Sequence, residues 1–278
     1  MKKLKRNERV AGIMYILTTK PNYVFSYRYF CELFDVKKSS ISGDISIIKE
    51  LVEKIEIGTI ETITGSGGGV KFAPKVQKEK TKYFLEQLCK DLSEPNRIIS
   101  GGFIYMLDIL YSPHIVKELG IIFANEFMDK GIDYVVTIET KGIPIALMTA
   151  EILNVPLVII RKNIKVTEGS TVNINYISGS TKIIQTMSLS RKALREMSKV
   201  LIIDDFMKGG GTVRGIYEMM EEFNVEVAGT GVLISTMSPE KKLVNNYTSL
   251  MILKDVDEEN RKIDLISNFE YLNHIKKN

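Results

Sequence analysis

Cysteine and histidine are scarce in this chain of 278 residues, with two of each. Cys31 and Cys89 lie far apart and have no Cys or His companions, which excludes a disulfide framework and a zinc site. His114 and His274 are equally isolated, so no sequence neighbour poises either as a catalytic base. No uninterrupted apolar run reaches the about 18 residues of a membrane span. The basic start is followed by Met14, Tyr15 and Thr18 without a cleavage-like site, so a cytoplasmic location with no membrane partner is expected. Internal repeats and low-complexity stretches are also missing. What remains is ordinary for a soluble globular protein, 44% hydrophobic and 26% charged, long enough for one large or two modest domains.

Charge is scarce in net terms but unevenly placed. Residues 1–78 hold 14 Lys/Arg against 8 Asp/Glu, net +6, and the totals of 38 and 34 leave 24 against 26, net −2, for residues 79–278. A positive N-terminal unit on a near-neutral remainder suits a nucleic-acid-binding module joined to a sensor or catalytic domain. Helical periodicity supports this. Val10, Ile13, Met14 and Leu17 make one apolar stripe over 9–19, and Pro21 and Asn22 stop that helix. Ser26 can cap a second helix through Phe34, and a third over 39–54 turns Ile41, Ile45, Ile48 and either Leu51 or Val52 inward. This leaves Lys38, Ser39, Ser40, Ser42 and Lys49 on or near the opposite side, where small polar residues at a helix start suit entry into a DNA groove. A strand over 55–64, glycines at 65 and 67–69 and a returning strand over 70–72 complete a winged-helix pattern, with Lys71 near the wing tip for a phosphate. The same stripes would also serve a small helical unit used for dimerisation. A linker at 73–75 closes the unit.

The larger unit begins with helices over 80–92 and 115–128. It then changes rhythm to strands alternating with helices, the signature of a parallel sheet. Its most informative stretch is Val200-Leu-Ile-Ile-Asp-Asp-Phe-Met-Lys-Gly-Gly-Gly-Thr-Val-Arg214. Val200–Ile203 reads as a buried strand and Thr212 opens a helix, so residues 204–211 form the connecting loop. Lys208, Gly209, Gly210, Gly211 and Thr212 can offer amides and a helix N-terminus to a phosphate. Asp204 and Asp205 suit the paired hydroxyls of a ribose behind it. The spacing is neither a Walker A loop nor a dinucleotide fingerprint. A ribose phosphate is the ligand that phosphate and diol together specify.

A second strand over 134–138 runs through Thr140, Lys141 and Gly142 into a helix over 143–153. In α/β sheets such junctions share one crevice at the C-terminal strand ends, so two loops could face one ligand; taken alone, this one could equally be a solvated turn. A strand over 156–160 ends in Arg161 and Lys162, placed either to touch a phosphate or simply as a surface pair. Strands over 171–177 and 182–188 make a polar hairpin, a candidate flap over the crevice. Strands over 225–234 and 249–253 follow, and the charged tail from Asp255 suggests nothing further.

The acid pair and glycine loop resemble the phosphoribosyltransferase signature. Arg161-Lys162, Val166-Thr-Glu-Gly-Ser-Thr171, Asn175-Tyr-Ile-Ser-Gly-Ser180, Gln185-Thr-Met187 and Lys38-Ser-Ser-Ile-Ser-Gly-Asp-Ile45 narrow the resemblance, nearly end to end, to the purine operon repressors of Gram-positive bacteria. That resemblance implies an α/β protein with a winged-helix DNA-binding domain over 1–74 and a phosphoribosyltransferase-fold effector and dimerisation domain with a mainly parallel sheet over 75–278. It implies a homodimeric repressor of purine-synthesis genes that binds double-stranded DNA. Phosphoribosyl pyrophosphate (PRPP), with or without Mg²⁺, would be its inducer, and guanosine tetraphosphate an opposing ligand. Asp204 and Asp205 would hold the ribose, Lys208–Thr212 the 5′-phosphate, and Thr140, Lys141 and Gly142 the pyrophosphate, while Phe206 and Phe103 would offer aromatic faces to a guanine. Gly209 replaces a common Ala, and Phe103 stands where the family often has Tyr.

An active purine phosphoribosyltransferase is the alternative. It would need Mg²⁺, a base pocket and help for the leaving pyrophosphate. The basic winged unit and Lys208 inside the loop favour a regulator without catalysis and without a required cofactor or resident metal. An RNA-binding attenuator fits less well, because the N-terminal unit shows a groove-sized helix rather than interleaved exposed aromatics.

Overall fold

The computed structural model describes residues 4–65, 67–162, 169–177 and 184–270. Two compact units are distinguishable, the first running to Gln77 and including Glu151–Asn154, the second comprising Lys78–Ala150 and the chain from Val155.

In the first unit, α1 (Arg6–Thr19), α2 (Tyr27–Phe34) and α3 (Lys38–Lys54) pack around one core. Helix α1 begins a turn earlier than its apolar stripe, where Glu8 reaches back to the N-cap residue and its Oε2 accepts from the Lys5 N–H at 2.6 Å. Ile13 and Leu17 are buried, while Val10 and Met14 only border the core. Ser26 does cap α2, accepting from the Tyr29 N–H at 3.1 Å. In α3 the inward set is Ile41, Ile45, Ile48 and Val52, and Leu51 is exposed, which settles the choice left open between the last two. The wing is an antiparallel pair, β1 (Gly58–Ile63) and β2 (Gly69–Pro74). Phe25 adds to it through mutual backbone bonds with Val70 at 2.8 and 2.9 Å.

Not all the wing glycines lie at an open tip, contrary to expectation. Gly65 and Gly67 face open space, but a Cβ on Gly69 would sit 2.1 Å from the Phe25 carbonyl oxygen. Glycine is needed there because the Phe25 backbone passes too close for any side chain.

The second unit is built on a six-stranded sheet with spatial order β12-β11-β10-β9-β5-β6. Strands β5 (Tyr134–Ile138), β6 (Leu157–Ile160), β9 (Lys199–Met207), β10 (Glu226–Thr236) and β11 (Thr248–Asp257) are parallel, and β12 (Lys262–Ser267) is an antiparallel edge. Helices α4 (Lys78–Leu92), α5 (Leu107–Leu110), α6 (Pro113–Phe127), α7 (Ile143–Leu153) and α8 (Gly211–Glu222) surround it. Two hairpins leave the sheet, β3–β4 (Ile98–Ile99 with Phe103–Ile104) and β7–β8 (Thr171–Ile177 with Ile184–Ser190). One core joins the buried faces of β5, β6, β7, β8 and β9 to Ile216, Met219 and Met220 of α8.

The tail from Asp255 is not empty of signal, as its charge suggests: it carries β12, whose Ile263 and Leu265 alternate inward. Their pattern is short and starts behind a charged turn, Glu258–Arg261, which masks it. Val166–Glu168, Ser178–Ser180, His274 and the first two residues of the strand expected over 182–188 lie outside the described residues. His114 is exposed and shares a 3.0 Å bond with Ser112, and burial pushes the Cys89 thiol up to about 12, so that thiol is a packing residue.

Candidate functional site

The acid pair sits on a strand end, not in a loop. Strand β9 runs on to Met207, so Asp204 and Asp205 are held in the sheet beside β10, and the true loop is only Lys208–Gly210 before α8 begins at Gly211. Apolar patterning ends the strand at Ile203 because the acids break its run; ladder hydrogen bonding does not require apolar side chains. Gly210 caps α8 in the left-handed region at φ +83°, a conformation that favours glycine, and a Cβ there would meet Val244 tightly at 3.3 Å. A cavity of about 70 Å³ lies at this turn, lined by Asp204, Phe206, Met207, Lys208 and Gly210–Val213. It is a compartment the size of one small anionic group, set against the α8 N-terminus.

Asp204 is 5% exposed and accepts the Asp205 backbone N–H at 3.0 Å through Oδ1. Burial, and then the charge of Asp205, push its carboxyl well above the ordinary range. Asp205 is pushed up by burial as well, against the hydrogen bond from its neighbour and the pull of Lys141 and Lys162. Two adjacent carboxylates in a site that disfavours their charge are poised for hydroxyl donors or a cation.

The second loop does reach the first. A Cβ on Gly142 would lie 3.2 Å from Asp204 Oδ1 and 2.8 Å from Thr137 Oγ1, so the β5–α7 turn abuts the acid pair and must be glycine. Lys141 is near enough for its charge to act on Asp205, and the peptide joining Glu139 to Thr140 is cis. Lys162 also acts on both acids. Arg161 is held by Glu139, Nη1 to Oε1 at 2.7 Å, and the Lys162 N–H donates to Glu139 Oε2 at 3.0 Å. Glu139 thus fixes the β6 end beside the loop, a role no motif announces. Arg161 also exchanges backbone bonds with Ser188 at 2.8 and 2.9 Å, tying β6 to the β7–β8 hairpin.

Tyr176, on that hairpin, is a further residue that sequence reasoning missed. Its hydroxyl donates to Gln185 Oε1 at 2.7 Å and also hydrogen-bonds Thr212, and burial followed by the charge of Asp204 pushes its pKa up. The spacing of a β-hairpin gives no hint that its tyrosine meets the start of a helix well over 30 residues further on. Phe206 is half-buried in the cavity wall, whereas Phe103, 54% exposed on the β3–β4 hairpin, is not among the cavity-lining residues.

In the N-terminal unit Lys38, Ser39, Ser42 and Lys49 are exposed along α3 and Ser40 is half-buried. The Lys38 ammonium lies 5.6 Å from the centre of the Tyr27 ring. Lys71 differs from the expectation of an open phosphate contact: its ammonium is 3.1 Å from Glu61 Oε2 and donates to Asn22 Oδ1 at 3.1 Å, so it braces the wing. The solvent face of α3 rests on a buried ion cluster, in which Asp44 accepts from Arg9 Nε at 2.5 Å and Arg6 Nε at 3.2 Å.

Comparison with known proteins follows the same division. Residues 5–74 match the family described as bacterial purine repressor, N-terminal, and residues 106–264 match the phosphoribosyl transferase domain. The chain is similar to the purine biosynthesis transcriptional repressor PurR of Bacillus subtilis, 44% identical over 99% of this chain and 96% of that protein. It is also similar to the purine biosynthesis transcriptional activator PurR of Lactococcus lactis, 41% identical over 94% of this chain and 97% of that one. Among solved structures, adenine phosphoribosyltransferase from Thermoanaerobacter pseudethanolicus superposes with a TM-score of 0.51 at 19% identity, covering 60% of this chain and 98% of that enzyme. At that identity the likeness shows the fold alone.

Proposed function

We propose, because the chain belongs to the family of bacterial purine repressors, that it represses purine-synthesis genes from DNA sites bound by its N-terminal unit and releases them when PRPP fills the pocket at Asp204 and Asp205. Family membership makes it a DNA-binding regulator of purine-biosynthesis transcription. Sensing rests on the geometry of the site.

The observation that carries it is the packing of Gly142 against Asp204, which puts two strand-end loops on one acid pair. A ligand with one phosphate, a diol and a pyrophosphate matches this arrangement. The 5′-phosphate would take Lys208–Thr212, the ribose hydroxyls Asp204 and Asp205, and the pyrophosphate Thr140, Lys141 and Gly142, with Lys162 supplying positive charge. Mg²⁺ suits the carboxylate oxygens. Among the described residues no group of three potential metal ligands occurs, so PRPP and water would complete its shell. Bound, the ion would neutralise acidic charge at the pocket.

Guanosine tetraphosphate is assigned to the same pocket as the opposing ligand, with the ring of Phe206 as its stacking face and Phe103 as a second face from the β3–β4 hairpin. Lys38, Ser39, Ser40, Ser42 and Lys49 form the DNA-facing set of α3. The regulator is read as a homodimer, since paired winged units bind paired half-sites.

An active phosphoribosyltransferase is the second reading, favoured by the retention of both acids and both loops. Footprinting on the chain's own genomic DNA with increasing PRPP separates the two. The regulator reading expects protection that PRPP removes, with no pyrophosphate released when PRPP and any purine base are added. Pyrophosphate release would establish the enzyme, and protection indifferent to PRPP would end the sensor reading.

A further inference from the structure

Lys242, in the loop between β10 and β11, is 9% exposed. Its ammonium donates to the Lys208 carbonyl oxygen at 2.6 Å, the Thr236 carbonyl oxygen at 2.7 Å and Thr236 Oγ1 at 3.1 Å. A buried ammonium is costly unless its donors are matched, and here three donors meet three oxygens. None of the three is an acid, and burial pushes the pKa of the ammonium down.

The contact continues along both chains. The Leu243 N–H donates to the Gly209 carbonyl oxygen at 2.9 Å, and Val244 is the residue that a Cβ on Gly210 would meet at 3.3 Å. Residues 242–244 therefore rest on Lys208, Gly209 and Gly210 in turn. The Lys208–Gly209 and Gly209–Gly210 peptides are trans. In a trans peptide the carbonyl and the following N–H point in opposite directions. Holding the carbonyls of Lys208 and Gly209 toward the 242–244 segment turns the N–H groups of Gly209 and Gly210 the other way. Successive amides presented to one side make a concave site for an anion.

We propose that Lys242 is a positioning residue for the phosphate loop, fixing the two peptide planes whose amides receive the ligand's 5′-phosphate. The proposal rests on the reading of Lys208–Thr212 as the phosphate site. Lys242→Met keeps the aliphatic stem and removes all three donors, so the loop loses the tether that sets its carbonyls.

The test is calorimetric titration of the full chain with PRPP and, separately, with inorganic pyrophosphate, at fixed Mg²⁺. Pyrophosphate is assigned to the other loop. The expected result for Lys242→Met is PRPP affinity lower by about tenfold or more, with pyrophosphate affinity within about twofold of the native chain. Unchanged PRPP affinity overturns the proposal, and so does an equal loss for both ligands, which would mean general loosening. If the native chain binds PRPP no more tightly than pyrophosphate, the phosphate-site reading itself fails and takes the proposal with it. Should Lys242→Met not fold, Thr236→Val removes one of the three acceptors, together with the hydroxyl whose proton is shared between the Ser238 carbonyl oxygen at 2.6 Å and the Lys208 carbonyl oxygen at 3.3 Å. It is expected to weaken PRPP alone by about threefold, and no selective loss in that variant also overturns the proposal.

Discussion

Asp44 holds α3, the helix proposed to face DNA, to α1, and its replacement should cost far more than surface charge accounting suggests. Its side chain is 0% exposed; Arg9, at 2.5 Å, is 10% exposed, and Arg6, at 3.2 Å, is 64% exposed. Asp44→Ala strands the Arg9 guanidinium inside the unit without a counter-charge, a loss of about 3–5 kcal/mol for a broken buried pair. Arg6→Ala removes a solvent-screened partner and should cost under about 1 kcal/mol. Removing both buried charges, as Asp44→Ala with Arg9→Met, should recover much of the loss, because an apolar replacement of a buried pair is often close to neutral. Hydrogen exchange of α3 peptides in the full chain reads the opening free energy of this unit separately from the larger one. An Asp44→Ala loss as small as that of Arg6→Ala, or a double variant as unstable as the sum of the singles, would refute the buried-pair account.

Lys38→Glu with Lys49→Glu should weaken DNA binding and flatten its salt dependence, by up to about 0.9 in log–log slope for each phosphate that the protein no longer neutralises. Equal binding at low salt would remove this face of α3 from the interface. The acid pair makes a separate prediction about pH. Because the folded state holds the Asp204 proton more tightly than the unfolded chain does, the stability this group contributes is complete below the ordinary carboxylate pKa and is lost as pH rises through the raised folded value. Ligand-free Asp204→Asn should therefore melt higher than the native chain at neutral pH, with the two curves converging toward acid. Parallel melting curves from pH 5 to 8 would contradict it.

Much of this arrangement could be read from residue order, for definite reasons. Elements with a strong period, such as α3 and the buried run of β9, announce themselves because burial selects apolar residues at the helix or strand repeat. The acid pair and the glycines after it point to a ligand turn because few structural needs produce that combination. Residues whose work depends on a distant partner were invisible. Lys242 looks like any loop lysine until the fold places two carbonyls around it, and Glu139 is an ordinary acid until Arg161 arrives beside it. Arg9 and Asp44 escaped for a related reason, since apolar periodicity treats every charge as solvent-facing. Lys71 shows the opposite case: its place near a glycine-rich tip suggests DNA, and the cross-strand register puts Glu61 directly opposite it.

The central claim is that occupancy of the Asp204–Asp205 pocket controls DNA binding. Its most direct test is a gel-shift titration of Asp204→Ala with Asp205→Ala against PRPP beside the native chain. The double variant is expected to bind DNA as the native chain does while PRPP no longer releases it. Release by PRPP at native concentrations in the double variant would contradict it.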